Sequence, residues 1–137
     1  MHFTEVGTVR IGCLLALFAC NVALQPANNH VVGVWRGDSV CVSDRGACVD
    51  EKVIYYIGAS ATGARAVSIR ADKIVQGRAV TMGTGEWQYD TDHHTLTWET
   101  PRQTWLLTVA GDSIDGTLTL ADKTVVRRMT LKRDHDG

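Results

Sequence analysis

Hydrophobic and polar residues alternate in short runs from residue 31 to residue 133, and most runs end at a turn containing Gly or Asp. Alternation with a period of two is typical of β-strands that bury one face. Nowhere in this region do apolar residues recur at the spacing of an amphipathic helix over a helix-length window. The pattern therefore predicts an all-β domain.

The alternation predicts nine strands, each bounded by a turn. They span residues 31–42, 50–58, 65–72, 74–82, 85–90, 94–100, 103–110, 113–121 and 124–132. The connections between the last five strands are short, and short connections force neighbouring strands to run antiparallel. An open meander would leave two unpaired edges. We therefore expect the chain to close into a small up-and-down β-barrel of eight or nine strands.

One phase of the predicted strands is apolar, whereas the opposite phase carries mostly Thr, Gln, Glu and Asp. The apolar phase includes Trp87, Tyr89, Leu96, Trp98, Trp105, Leu107, Val109, Ile114, Leu118 and Leu120. In the last strand, Arg127 shares this inward phase with apolar neighbours. Because a buried guanidinium needs a partner, we expect Arg127 to contact either the Glu51 carboxylate or the ring face of Trp35.

The composition fits one domain without a nucleic-acid partner. The chain has 137 residues, with 14 basic and 15 acidic side chains and no basic run. Proteins that bind nucleic acid owe most of their affinity to positive charge placed against phosphates. The balanced charge therefore argues against that class of partner.

The apolar stretch of residues 11–22 follows Arg10 and is too short to cross a bilayer. Its length and flanks are typical of the hydrophobic region of a signal peptide. We therefore expect an exported protein of a bacterial envelope, either periplasmic or anchored to the membrane. The corresponding organisation is a signal peptide at 1–19, a linker at 20–30, the barrel at 31–133 and a tail at 134–137.

Two processing routes are consistent with this leader. Residues 17–20, Leu-Phe-Ala-Cys, resemble the lipobox of bacterial lipoproteins, in which Cys20 would be lipidated and would supply the only membrane attachment. The alternative is ordinary cleavage after Ala23 or Ala27. In either case the mature domain keeps Cys41 and Cys48, an even pair that we expect to form a disulfide in an oxidising compartment. A zinc site is not favoured, because no second ligand pair has the required spacing.

The first and last strands carry a family resemblance. Gly33, Val34 and Trp35 open the first strand, and the last strand bears arginines, which resembles the lipocalin and wider calycin pattern. The resemblance implies that Trp35 stacks on an arginine of the last strand, namely Arg127 or, if the phase is shifted by one, Arg128. It implies a structural role for both partners.

The chain is also similar to a group of uncharacterised small bacterial envelope proteins. The shared features are Trp-x-Gly at 35–37, the cysteine pair, Asp-Glu at 50–51 and Gly-Thr-Leu at 116–118. This similarity implies the fold and the location, and it brings no activity with it.

Two clusters of titratable residues could hold a metal ion or act in catalysis, but each has a simpler interpretation. Residues 90–94, Asp-Thr-Asp-His-His, contain metal-ligating types, but adjacent strand residues point to opposite faces, and such residues are common in hairpin turns. Arg127 with Glu51 is equally explained as an ion pair. No nucleophile motif or phosphate-binding loop occurs. We therefore expect no metal, no cofactor and no catalytic residues, and an enzyme is not favoured.

The aromatic residues of the inward phase are the candidate binding site. Trp35, Tyr55, Trp87, Trp98 and Trp105, together with Arg127, could line a pocket for a small apolar or amphipathic ligand. The same rings could instead simply fill the core. A binding module is therefore the first hypothesis. The alternative is an interaction or inhibitor protein without a cavity that docks on an envelope protein through loops such as 43–49 and 58–64.

Overall fold

The computed structural model describes residues 30–44 and 47–137. The predicted signal peptide, the lipidation site Cys20 and nearly all of the predicted linker lie outside these residues. Within the described ranges, no helix is long and apolar enough to cross a membrane.

Eight antiparallel strands form one closed barrel, in which each strand pairs with the next and the last pairs with the first. The strands are β1 (Gly33–Cys41), β2 (Glu51–Ala59), β3 (Ala66–Val75), β4 (Arg78–Asp90), β5 (Thr95–Glu99), β6 (Gln103–Ala110), β7 (Ser113–Leu120) and β8 (Val125–Asp134). This arrangement confirms the predicted all-β, up-and-down barrel.

The region that was predicted as three strands between residues 65 and 90 forms only two. β3 continues to Val75, and the chain reverses at Gln76 and Gly77, which both have positive φ angles of 51° and 78°. Two such residues are what a two-residue hairpin turn requires, although Gln-Gly is a weaker signal than Asn-Gly. β4 then runs without a break through the expected turn at residues 83–84.

The register between β3 and β4 shifts once, and this shift explains why the alternation was misread. Ala71 pairs with Gly83, whereas Asp72 pairs with Thr81, so Met82 is an extra residue on β4. An extra residue of this kind is a β-bulge, which bends the strand and changes its inward phase. The alternation therefore breaks inside a continuous strand.

One end of the barrel is closed by Trp35, which is 0% exposed. Its Nε1 donates to the carbonyl oxygen of Val31 at 3.0 Å. The guanidinium carbon of Arg133 lies 4.3 Å from the centroid of the Trp35 ring, and Arg133 Nη1 donates to the carbonyl oxygen of Val32 at 3.0 Å. This stacked pair joins β1 to the end of β8, as in the calycin pattern.

The expected identity of the stacking arginine was wrong. Antiparallel pairing places Trp35 opposite Arg133, whereas Arg127 lies opposite Cys41 at the other end of β1. Arg128 has an exposed side chain. The strand phase identified Arg127 as inward but did not include Arg133, because the predicted last strand ended at residue 132 whereas β8 continues to Asp134.

Arg127 lies at the opposite end of the barrel. Its Nη1 donates to the side-chain oxygen of Ser39 at 2.9 Å, and its Nη2 donates to the carbonyl oxygen of Val49 at 2.8 Å. The Glu51 carboxylate lies 3.6 Å from the same guanidinium, so the expected Arg127–Glu51 contact is confirmed. Arg127 thereby holds the β1–β2 loop against β8.

The predicted disulfide between Cys41 and Cys48 is present and closes this β1–β2 loop. The Cys41 main-chain N–H also donates to the Asp50 carboxylate at 2.8 Å. The loop is therefore fixed by a covalent bond, by a side-chain hydrogen bond and by Arg127.

Most of the barrel interior is filled. The buried hydrophobic cluster comprises Val31, Trp35, Val53, Tyr55, Ile57, Val67, Ile69, Trp87, Tyr89, Leu96, Leu107, Ile114, Met129 and Leu131. An eight-stranded barrel is just wide enough to be filled by side chains or to hold one small ligand, and here side chains take up most of that space.

Candidate functional site

The barrel wall departs from regular geometry where β4 meets β5. β4 has thirteen residues and β5 has five. Only Gln88, Tyr89 and Asp90 of β4 pair with β5. In the described part of the chain, the β4 residues from 78 to 87 therefore have a strand partner on the β3 side alone. The wall opens sideways at this seam.

A cavity of about 220 Å³ lies at this opening. It is lined by Tyr55, Ile69, Ala71, Met82, Gly83, Thr84, Gly85, Trp87, Trp98, Gln103 and Trp105. None of these side chains is charged at neutral pH. The cavity therefore offers a neutral, largely apolar surface with a few polar atoms, which is the usual composition of a small-molecule site.

Three indole rings form one side of the cavity. The ring centroid of Trp87 lies 5.9 Å from that of Trp98 and 6.5 Å from that of Trp105. Trp98 and Trp105 are direct cross-strand neighbours on β5 and β6. Trp98 is 41% exposed and Met82 is 44% exposed. Large apolar side chains therefore line a cavity that is in contact with solvent.

Tyr55 contributes a neutral phenol to the cavity. Its hydroxyl donates to the sulfur of Met129 at 3.3 Å. Burial raises the pKa of Tyr55 to about 12, and the positive charge of Arg127 offsets only part of that rise. Tyr55 therefore stays protonated at any physiological pH.

The charged residues at this end of the barrel are paired with one another. Glu51 lies 3.6 Å from Arg127 and 3.5 Å from Lys73. None of the three lines the cavity. The cavity is therefore in direct contact with no charged side chain, although this cluster of two cations and one carboxylate keeps a net positive charge.

Part of the β4 wall of the cavity is bare main chain. Gly83 and Gly85 both line it, and a Cβ atom added at either residue would meet nothing within 4 Å. Neither glycine has a positive φ angle, so the backbone conformation does not require glycine there. The absent side chains leave the space that the cavity occupies.

One polar group beside the cavity is unsatisfied. The Nε1 of Trp105 is buried and has no hydrogen-bond partner in the part of the chain that the structure describes. Leaving a buried donor unpaired costs about 1–3 kcal/mol. By contrast, the Nε1 of Trp35 is paired.

The structure brings together four of the six residues that were predicted to bind a ligand. Tyr55, Trp87, Trp98 and Trp105 line the cavity. Trp35 closes the far end of the barrel, and Arg127 anchors the disulfide loop; neither lines the cavity. Ligand binding by any of them stays a prediction.

Sequence reasoning missed the β4 side of the cavity, including Met82, Gly83 and Gly85. The available signal was Gly-Thr-Gly inside a run that otherwise alternates, because glycine within a strand often marks a bulge or a close backbone approach. It was instead interpreted as a turn between two strands.

The acidic and histidine-rich stretch at 90–94 forms the β4–β5 turn. The Asp90 carboxylate accepts main-chain hydrogen bonds from Asp92 and His93, and it is hydrogen-bonded to the His93 ring Nδ1 at 2.8 Å. These hydrogen bonds lower the pKa of Asp90, and the bond with the His93 side chain has the largest effect. Among the described residues, no three His, Cys, Asp or Glu side chains are arranged to hold a metal ion.

Comparisons with known proteins decide neither the fold nor the function. No family model and no curated protein matches the chain. Among solved structures, the chain is similar to the S-type phycobiliprotein lyase CPES from Guillardia theta, with 13% identity over 80% of this chain and 91% of that one and a TM-score of 0.42. At this level the likeness carries no argument about ligand or activity.

Proposed function

We propose that this protein is a binding module that holds a small, neutral, apolar or amphipathic molecule in the cavity between β4 and β5–β6. The observation that carries the proposal is a solvent-accessible, uncharged cavity with three indole rings, in a barrel whose interior is otherwise filled. Exposed apolar side chains that lie together mark binding sites, and Trp98 and Met82 at this cavity are 41% and 44% exposed.

The size of the cavity limits the ligand. A dry apolar cavity of roughly 150 Å³ holds one benzene ring, so about 220 Å³ accommodates a molecule of roughly ten heavy atoms. At about 0.4–0.8 kcal/mol per heavy atom, well below the ceiling of about 1.5 for the best small ligands, such a ligand gains about 4–8 kcal/mol on binding. We therefore expect dissociation constants between the millimolar and micromolar ranges.

We also propose that the domain acts outside the cytoplasm, in a bacterial envelope. Two features support this location: the apolar stretch at 11–22 has the length of a signal-peptide core, and the Cys41–Cys48 disulfide is of a kind that persists mainly in oxidising compartments. Lipidation at Cys20 remains the proposed mode of membrane attachment, and ordinary cleavage after Ala23 or Ala27 remains its alternative.

The test of ligand binding compares three naphthalene derivatives of different charge by calorimetry and ligand-observed NMR. The uncharged cavity predicts that neutral 2-naphthol binds saturably and more tightly than anionic 2-naphthoate or a cationic naphthylmethylammonium. Trp98→Ala should weaken 2-naphthol binding at least tenfold, because it removes one ring of the wall. Leu106→Ala is the matched control, because Leu106 is similarly exposed at 40% and lies outside this cavity.

Equal affinity in Trp98→Ala and in the unaltered protein would refute the proposal, as would the absence of saturable binding by all three compounds. Since Trp98 is half exposed, its removal should leave the barrel folded, and thermal unfolding of both variants checks this point.

Docking to another protein is the second candidate, and one observation favours it. Val75, Val80 and Met82 are each 44% exposed, and they belong to the part of the β3–β4 hairpin that has no β5 partner. A photo-cross-linking residue at position 80 would test it in cells. A discrete adduct that Trp98→Ala does not affect would favour docking over ligand binding.

A further inference from the structure

We infer that the ligand is a planar heteroaromatic molecule of about two rings, which lies flat on the bare β4 main chain at Gly83 and Gly85 and against the indoles of Trp98 and Trp105. This inference rests on the proposed binding function and specifies the chemical class of the ligand.

The first step is the flat strip of main chain on β4. Gly85 pairs with Ile69, and Gly83 pairs with Ala71; directly opposed residues of an antiparallel pair share one face of the sheet. Ile69 belongs to the buried core, so this is the inward face. Two successive inward positions without side chains expose roughly 7 Å of flat main chain, at about 3.3 Å per residue.

The second step is the opposite wall. Trp98 and Trp105 pair directly across β5 and β6, and both line the cavity together with the two glycines. Aromatic ligands gain stacking and edge contacts with indoles in addition to burial, about 0.5–1.5 kcal/mol per ring pair. A space between a bare strand and aromatic rings therefore selects flat molecules over globular or branched ones of equal volume.

The third step concerns polar atoms at the ligand's edge. The Nε1 of Trp105 is buried beside the cavity and has no hydrogen-bond partner among the described residues, and the Gln103 amide also lines the cavity. A buried donor left unpaired costs about 1–3 kcal/mol. A ring carrying an adjacent acceptor and donor at its edge would accept from Trp105 and donate to Gln103.

The test compares three probes of ten or eleven heavy atoms in the unaltered protein. They are 2-quinolone, which is planar with an adjacent N–H and C=O; naphthalene, which is planar without polar atoms; and camphor, which is globular with one carbonyl group. We expect 2-quinolone to bind about tenfold more tightly than naphthalene and at least tenfold more tightly than camphor, by competition against 2-naphthol.

Glycine variants test the position of the ligand. Gly83→Ala and Gly85→Ala each insert a methyl group into empty space within the cavity, and each should weaken 2-quinolone binding at least tenfold. Gly58→Ala is the matched control: Gly58 also lies in a strand, has no positive φ angle, and would place its Cβ in open space, but it does not line the cavity. It should change affinity less than twofold.

The outcomes separate this inference from the proposed function. If camphor, naphthalene and 2-quinolone bind equally and Trp98→Ala weakens all three, the binding function stands and the planar class is wrong. If both glycine variants bind 2-quinolone as the unaltered protein does, the assigned position is wrong. If no probe binds, both the inference and the proposed function fail. The ranking of probes in the unaltered protein needs no variant, so a misfolded variant cannot hide the result.

Discussion

Replacing Arg133 with Met should destabilise the barrel by about 3 kcal/mol. The substitution removes a guanidinium stacked on a fully buried tryptophan ring, a contact worth up to about 2 kcal/mol when desolvated. It also removes hydrogen bonds to the carbonyl oxygens of Val32 and His30, each worth about 1.5–3 kcal/mol for a charged donor. The ion pair with Asp112 contributes little, because Asp112 is largely exposed. These contributions are not additive, and the methionine still covers Trp35, so about 3 kcal/mol is a conservative total.

Urea unfolding of the oxidised protein, followed by tryptophan fluorescence, measures this loss. The control is Arg128→Met, which removes an exposed arginine from the same strand and should change the free energy of unfolding by less than about 0.5 kcal/mol. A loss in Arg133→Met within about 1 kcal/mol of that control would refute the reasoning, because closure of the barrel would then not depend on the stacked arginine.

Three further predictions concern stability. Replacing Cys41 and Cys48 together with Ser should lower the free energy of unfolding by about 2.5 kcal/mol in the chain-entropy model, measured by urea unfolding with and without reductant; an unchanged value would mean that the loop is held by its hydrogen bonds alone. Because burial raises the pKa of Tyr55 to about 12, its unfolded form ionises first as pH rises above about 10. Stability should therefore fall between about pH 10 and 12, and Tyr55→Phe should reduce that fall in alkaline unfolding. Gly37→Ala should lower the thermal midpoint more than Gly116→Ala. The methyl group added at Gly37 would meet main chain of β8 at 1.9 Å, whereas the one added at Gly116 would meet the ends of two side chains, the nearer at 2.4 Å, and side-chain ends can move aside more easily than main chain. Equal thermal midpoints would contradict this.

The β5–β8 half of the barrel was predictable from the sequence because its turns are short and its one register shift, at Val126, lies next to the start of β8. The predicted strand 103–110 coincides with β6 (Gln103–Ala110). The β3–β4 region was not predictable, because Met82 is inserted as a bulge in the interior of β4 and shifts the inward phase there. A bulge inside a strand therefore disrupts a period-two pattern more than a bulge near a strand end.

The candidate site was partly predictable for a related reason. Inward phase identified Tyr55, Trp87, Trp98 and Trp105 as residues of one interior. It could not predict where along the interior each ring would lie, because that depends on the register between strands. The same limitation explains why Arg127 was expected at Trp35, although register places Arg133 there.

Several features that weaken the barrel occur together at the β4–β5 seam. Glycines inside a strand cost about 0.5–1 kcal/mol each, unpaired strand edges invite aggregation, and a half-exposed tryptophan forgoes burial that it would gain in a sealed wall. At the opposite end, by contrast, Trp35 is fully buried with its polar atom paired. The sequence thus follows the rules of burial and hydrogen-bond pairing at the Trp35 end, whereas several departures from them coincide at the β4–β5 seam. Such a local concentration of departures is best explained by the needs of a binding site. Alanine at Gly83 or Gly85 should accordingly leave the barrel as stable or more stable while it weakens ligand binding.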